Sequence, residues 1–280
     1  MTETQLVSVV VPTRNSASYL GRCLTSIRSQ SHDAVELIVV DNFSTDETRA
    51  IAAGIADIVL TAGPERSAQR NAGAQAAHGA YLFFVDSDMI LEAGVVAECL
   101  AALRSWGAEA VVVPEVSFGN GFWARCKAFE RSFYRGDETI EAARFFPADT
   151  FREVGGFDES MPPGPEDWDL DERFRRRGRP IARTESIIRH DEGEPHLWGL
   201  IRKKFYYGRG IPVYVRKHPE RARTQLRVIR PAFLSDWRRL ASNPTSAAGM
   251  LFMKFCEFGA GGVGFLAGRF DEVRHGRRSP

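Results

Sequence analysis

Cysteine is scarce. Cys23, Cys99, Cys126 and Cys256 are the only four in 280 residues, and no Cys-x-x-Cys pair occurs. That excludes a dense disulfide framework or a thiolate zinc site and favours free thiols in a reducing compartment. Net charge is almost absent at +1, so the total indicates no partner. No uncharged apolar run reaches the length of a bilayer-spanning helix. Residues 1–15 lack a basic n-region and a cleavable apolar stretch, so no signal peptide is expected. Internal repeats and low-complexity linkers are also missing. What remains, 44% apolar and 26% charged residues, fits one large α/β domain or a domain with an appendage.

The charge becomes informative once divided. Residues 197–240 hold twelve Lys/Arg against Glu220 and Asp236, a net of +10, so the rest of the chain carries −9. An acidic body with a basic appendage points to an anionic contact for the appendage.

Apolar runs at 6–11, which is β-branched, and at 37–40, 58–60, 81–85 and 110–113 read as strands. Segments 17–30, 67–77 and 92–106 read as helices. Ser44-Thr45-Asp46-Glu47 resembles a capping box opening another. Strand and helix alternate, which predicts a mostly parallel sheet flanked by helices, with ligands gathering at the carboxyl ends of the strands. Asp41, Asp86 and Asp88 fall at such ends. Beyond residue 118 the pattern loosens; 167–177 reads as a helix, 187–190 as a closing strand, and 247–267 as an apolar helix pair or an interfacial membrane element.

Asp86-Ser87-Asp88 follows a strongly apolar strand, and period-two geometry points residues 86 and 88 to one side of the chain. Two hard carboxylates there suit Mn²⁺ or Mg²⁺, with phosphate oxygens and water completing the shell. An isolated Asp-x-Asp is more often a solvated surface pair; the buried strand ahead of this one favours the metal. His190 is either structural or a third ligand beside Asp88. Glu166-Asp167, after a Pro/Gly-rich turn, either complements a helix dipole or supplies Asp167 as a general base. Trp168 either stacks on a sugar or packs in the core. Arg66 and Arg70 flank a predicted helix N-terminus, a setting that favours anions.

Four ordered blocks, Val10-Val11-Pro12-Thr13-Arg14-Asn15, Val39-Val40-Asp41-Asn42-Phe43-Ser44-Thr45-Asp46, Ala68-Gln69-Arg70-Asn71-Ala72-Gly73 and Phe84-Val85-Asp86-Ser87-Asp88, resemble the family 2 glycosyltransferases of GT-A fold. Val154-Gly155-Gly156-Phe157-Asp158-Glu159 and Glu166-Asp167-Trp168-Asp169-Leu170 are similar to that family's acceptor-side segment. The resemblance implies a GT-A domain at 1–195, donor-binding to about 115 and acceptor-side to 195, with a helical region at 196–280. It implies that Pro12, Thr13 and Asp41 line the nucleoside pocket, and that Asp86 sits near the ribose or metal. Asp88 would bind the metal, and Asp167 would be the base of an inverting transfer. Arg14, Asn42, Arg70 and Ser87 belong to the donor side, Glu166 and Trp168 to the acceptor side. Asn42 stands where many members carry a second acid, so UDP is the default nucleotide with GDP and dTDP open.

Arg202, Lys203, Lys204 and Arg209, interleaved with aromatics, are candidate contacts for phosphate or an anionic lipid. A glycan or lipid-linked acceptor and a cytoplasmic chain, peripheral on the inner membrane face, follow as expectations. A sugar-nucleotide nucleotidyltransferase is the first alternative, though residues 12–17 lack the glycine its phosphate loop needs. A non-catalytic nucleotide-sugar-binding protein is the second. Nucleic-acid binding ranks last, because no recognisable module is present.

Overall fold

The computed structural model describes residues 5–227 and 230–276. Strand and helix alternate through β1 (Val7–Thr13), α1 (Ala17–Arg28), β2 (Val35–Asp41), α2 (Thr48–Ile55), β3 (Ile58–Thr61), α3 (Arg66–Ala76) and β4 (Tyr81–Phe84). There follow β5 (Met89–Leu91), α4 (Val95–Trp106), β6 (Ala110–Val112), β7 (Glu115–Phe118), α5 (Gly121–Arg131), β8 (Phe145–Pro147), α6 (Ala148–Glu153), α7 (Glu166–Arg175), β9 (Ile181–Arg183) and β10 (Ile188–Asp191). The remaining elements are helical: α8 (Leu197–Gly208), α9 (Ile211–Lys217), α10 (Pro219–Gln225), α11 (Pro231–Ser235), α12 (Trp237–Ser242) and α13 (Pro244–Gly276).

Two compact units interleave along the chain. The first takes the chain up to Val116, Glu141–Glu159 and Leu170–Asp191; the second takes Ser117–Ile140, Ser160–Asp169 and the chain from Glu192.

The first unit is built on a seven-stranded sheet in the order β3-β2-β1-β4-β8-β6-β9. β1 pairs in parallel with β2 and β4, whereas β8 runs antiparallel to β4 and β6. All seven residues of β1 are buried. Strand alternation divides them: Val7, Val9 and Val11 pack with Leu20, Leu24 and Ile27 of α1, while Val10 packs with Ala74 of α3 and Phe174 of α7. Each buried aliphatic side chain contributes about 1.5–3 kcal/mol, so this strand is held at the centre from both faces. α3 lies close because Gly73 has no side chain; a Cβ there would collide with Val10. A second sheet, β5-β10-β7, takes the strand expected to close the main sheet. β10 instead pairs antiparallel with β5.

Two local expectations are corrected. Strand β4 ends at Phe84, and Asp86 to Asp88 form a turn closed by Met89 N–H donating to Asp86 O at 3.0 Å; period-two geometry therefore does not set those side chains. The capping box does not form either. α2 starts at Thr48, because the Ser44 hydroxyl donates to Asp41 instead.

In the second unit, α13 is one continuous 33-residue helix rather than a helix pair. It is anchored to α5 by a buried ionic cluster. Lys127 Nζ reaches Glu130 at 2.9 Å and Glu257 at 3.3 Å, and Lys254 Nζ reaches Glu130 at 2.7 Å. Burial would raise the Glu130 carboxyl, but Lys127 and Lys254 hold it well below the usual carboxylate range. All four cysteines are free thiols.

Candidate active site

In the first unit, the candidate side chains cluster where parallel strands end. The residues after β1 and β2 turn back on one another. Asn42 N–H donates to Thr13 O at 2.9 Å, and Asp41, fully buried, accepts from Ser44 N–H at 2.9 Å and from its hydroxyl. Gln69 of α3 donates its amide to Thr13 O at 3.0 Å and to Val40 O at 2.6 Å, satisfying both strand ends. Pro12 and Thr13 are buried and Arg14 is exposed. Thr13 Oγ1 is buried without a hydrogen-bond partner. Asn42, also buried, donates Nδ2 to Pro64 O at 2.6 Å, so its amide nitrogen braces the loop after β3.

The next residues explain two of the quoted blocks. Asn71 donates to Phe157 O at 2.9 Å and accepts from Phe157 N–H at 2.9 Å. Gly156 has φ +65°, and a Cβ there would meet Asn71 Oδ1 at 2.8 Å. The Gly-Gly-Phe segment is thus shaped to receive the asparagine.

The acidic pair closes a ring of ionic contacts. Asp86 Oδ1 takes Arg70 Nη2 at 2.8 Å and Asp86 Oδ2 takes Arg144 Nη1 at 3.4 Å. Arg144 Nη2 reaches Glu115 Oε1 at 2.6 Å, Glu115 Oε2 reaches His190 Nδ1 at 2.9 Å, and His190 Nε2 reaches Asp88 Oδ2 at 3.3 Å. Beneath it, the Cys23 thiol is pushed up by burial first and then by the charges of both aspartates. Ser87 donates its hydroxyl to Ser16 Oγ at 3.0 Å.

Burial would raise the Asp86 carboxyl, but Arg70, Arg144 and, in third place, Arg66 hold it well below the usual carboxylate range. Burial would lower His190, yet its hydrogen bonds to Asp88 and Glu115 and then their charges push it up to about 10. Asp86 is thus a clamped anion, and Arg70, fully buried, serves that clamp.

Sequence had proposed Asp86, Asp88 and His190 as a metal set. Among the described residues no group of three or more His, Cys, Asp or Glu is arranged to hold a metal, because the arginines occupy Asp86. Asp88 and His190 remain adjacent, and they fit a divalent cation on two counts. Asp88 Oδ1 is buried with no partner, a costly state for a carboxylate oxygen. His190 is oriented through its other ring nitrogen by Glu115, as metal-ligating histidines usually are.

In the second unit, helix α7 opens on a cluster of acids of which most are turned inward. Glu166 is buried and accepts from Gly164 N–H at 2.6 Å. Asp169 is buried against His218 Nε2 at 2.8 Å and Lys217 Nζ at 3.5 Å. Trp168 donates Nε1–H to Ile140 O at 3.1 Å and packs with Met161 and Tyr214, which is the core alternative. Asp167 is partly exposed.

Of the basic candidates, Arg202, Lys203 and Arg209 are exposed, with Arg209 paired to Asp271 at 2.6 Å. Lys204 is half-buried; burial and then repulsion from Lys127 bring its amine down to about 8. Glu115, Arg144 and Gln69 were not anticipated. Glu115 and Arg144 are lone polar residues outside any motif, and Gln69 lies inside a quoted block without a role of its own.

An α/β sheet of this order, with an acidic turn after its central strands, defines the class as a GT-A-type domain. Residues 8–155 match the model of Glycosyl transferase family 2, and the chain belongs to that family. It is 31% identical over 240 residues to the pre-mycofactocin glycosyltransferase of Mycobacterium tuberculosis, covering 77% of this chain and 48% of that protein. The chain therefore spans about half the length of that relative. Among solved structures, the mannosyltransferase PcManGT from Pyrobaculum calidifontis, in complex with GDP-Man and Mn²⁺, is similar with a TM-score of 0.63 and 18% identity, covering 95% and 88% of the two chains. Residues 1–349 of S. aureus TarS, in complex with UDP-GlcNAc, give 0.55 and 14%, covering 97% and 92%. Both likenesses concern the fold.

Proposed function

We propose that the chain transfers a sugar from a nucleoside diphosphate to an acceptor hydroxyl, with inversion at the anomeric carbon. The observation that carries this is the unpartnered, buried Asp88 Oδ1 beside His190. Asp88 and His190 would hold Mn²⁺ or Mg²⁺, which when bound offsets the charge growing on the diphosphate. Pro12, Thr13 and Asp41 take the nucleoside, with Thr13 Oγ1 gaining the partner it lacks. Asp86, kept ionised by its arginines, fixes the turn that presents Asp88.

Asp167 serves as the general base. Its carboxylate accepts the acceptor's hydroxyl proton as that oxygen bonds to the anomeric carbon and the carbon–oxygen bond to the diphosphate breaks. Glu166 and Asp169 are buried whereas Asp167 is partly exposed, which supports choosing Asp167 from the acids of this turn. UDP is the default donor nucleotide, with GDP and dTDP as alternatives. The acceptor proposed is a glycan or lipid-linked hydroxyl, used by a cytoplasmic chain.

Asp167→Asn tests the assignment. Transfer should fall by roughly 10²–10⁴-fold, the usual worth of a positioned base, while calorimetric nucleotide binding stays intact. Wild-type turnover in the variant would remove the base.

A further inference from the structure

Helices of soluble proteins turn their apolar face inward, but α13 leaves one bare. Leu251, Phe252, Phe255, Val263, Leu266 and Phe270 are between 54% and 78% exposed. At 3.6 residues per turn these positions fall within about a third of the helix circumference, and from the first to the last they span about 29 Å. Gly259 and Gly262 lie on the same arc, and Arg269, near its end, is the one charge exposed there among the described residues. The opposite face is occupied. It carries Met250, Met253, the Lys254–Glu257 part of the ionic cluster, and three glycines against α8.

Those glycines fix what lies alongside. A Cβ on Gly264 would strike Phe205 O, one on Gly268 Arg209 O, and one on Gly208 Gly261 O, so α8 and α13 touch backbone to backbone and run parallel. Beside that contact α8 and the residue that caps it alternate aromatic and cation, with Trp198, Arg202, Phe205 and Arg209 at helical spacing and all exposed. Aromatic rings and long basic side chains in this alternation suit the boundary between headgroups and acyl chains.

We propose that α13 and α8 dock the chain, lying flat, on an anionic lipid surface. The bare stripe of α13 enters the acyl boundary while Arg202 and Lys203 meet headgroup phosphates. Two observations select this occupant and this pose. A second copy would bring together two segments of net charge +10, a repulsion that anionic lipid turns into attraction. Residues 244–271 are long and apolar enough to cross a bilayer by length and composition, with a mean hydropathy of 1.3 over their most apolar 18 residues. Crossing would, however, strip α13 from the buried Glu130–Lys254 contact and from α8. The docking needs no donor or acceptor and stands apart from the transfer chemistry.

The test is flotation of the full chain with vesicles of phosphatidylcholine, with and without phosphatidylglycerol. The chain should float with the anionic vesicles and be released by alkaline carbonate. Phe255→Ser with Leu266→Ser should weaken binding by at least about tenfold while circular dichroism stays unchanged, since both side chains are exposed. Arg202→Glu with Lys203→Glu should lower anionic binding by a similar factor and leave the weak neutral-vesicle signal unaltered. Three results would overturn the proposal: no flotation with anionic vesicles, resistance to carbonate extraction, or a dimer in sedimentation that the double serine variant dissociates.

Discussion

The ring around His190 makes a signed prediction for the metal-free protein. A free imidazole titrates near 6.5, and this one is held at about 10. A proton bound more tightly in the folded state stabilises it. That contribution is complete below about pH 6.5 and is lost as pH rises through about 10. Each unit of difference is worth about 1.4 kcal/mol, so the loss across the window reaches up to about 5 kcal/mol. The assay is urea unfolding in EDTA, followed by circular dichroism at several pH values, on the wild type and on His190→Gln. Subtracting the variant removes the other titrating groups. The difference should slope downward by about 1.4 kcal/mol per pH unit through the middle of the window. Saturating Mn²⁺ should reverse that trend, because a metal on Nε2 must displace the proton and so binds better at higher pH. Parallel curves for the two proteins without metal would show that the fold does not hold a proton on His190.

Glu130→Gln removes the carboxylate between two buried ammonium groups and should cost about 3–5 kcal/mol in denaturant unfolding; a loss below about 1 kcal/mol would place that cluster in solvent. Gly264→Val should lower the unfolding midpoint through its collision with Phe205 O, by about 1–3 kcal/mol. Gly262→Ala, with nothing within 4 Å, should leave the midpoint unchanged or slightly higher, and equal effects from the two would dissolve the α8–α13 contact.

The βα alternation was legible because buried parallel strands write themselves as short apolar runs; β1, β2 and β4 were each expected within two residues of where they lie. β8 and the second sheet were not, since three residues such as Phe145–Pro147 carry no period. Ser44 misled because a capping sequence cannot reveal that Asp41 already holds its hydroxyl. The expected helix pair at 247–267 is one helix, and its Gly261, Gly264 and Gly268 are where a neighbouring backbone passes. In the site, Asp88 and His190 could be paired from sequence by chemistry. Arg144 and Glu115 could not, because two unlike charges 29 residues apart meet only once the sheets form.

Asp88 is the residue on which the proposed metal-dependent donor binding depends. Calorimetric titration of UDP or GDP into the wild type should give Mn²⁺-dependent binding, and in Asp88→Ala the Mn²⁺-dependent part should vanish while circular dichroism is unchanged. Identical Mn²⁺-dependent isotherms for the two proteins would contradict it.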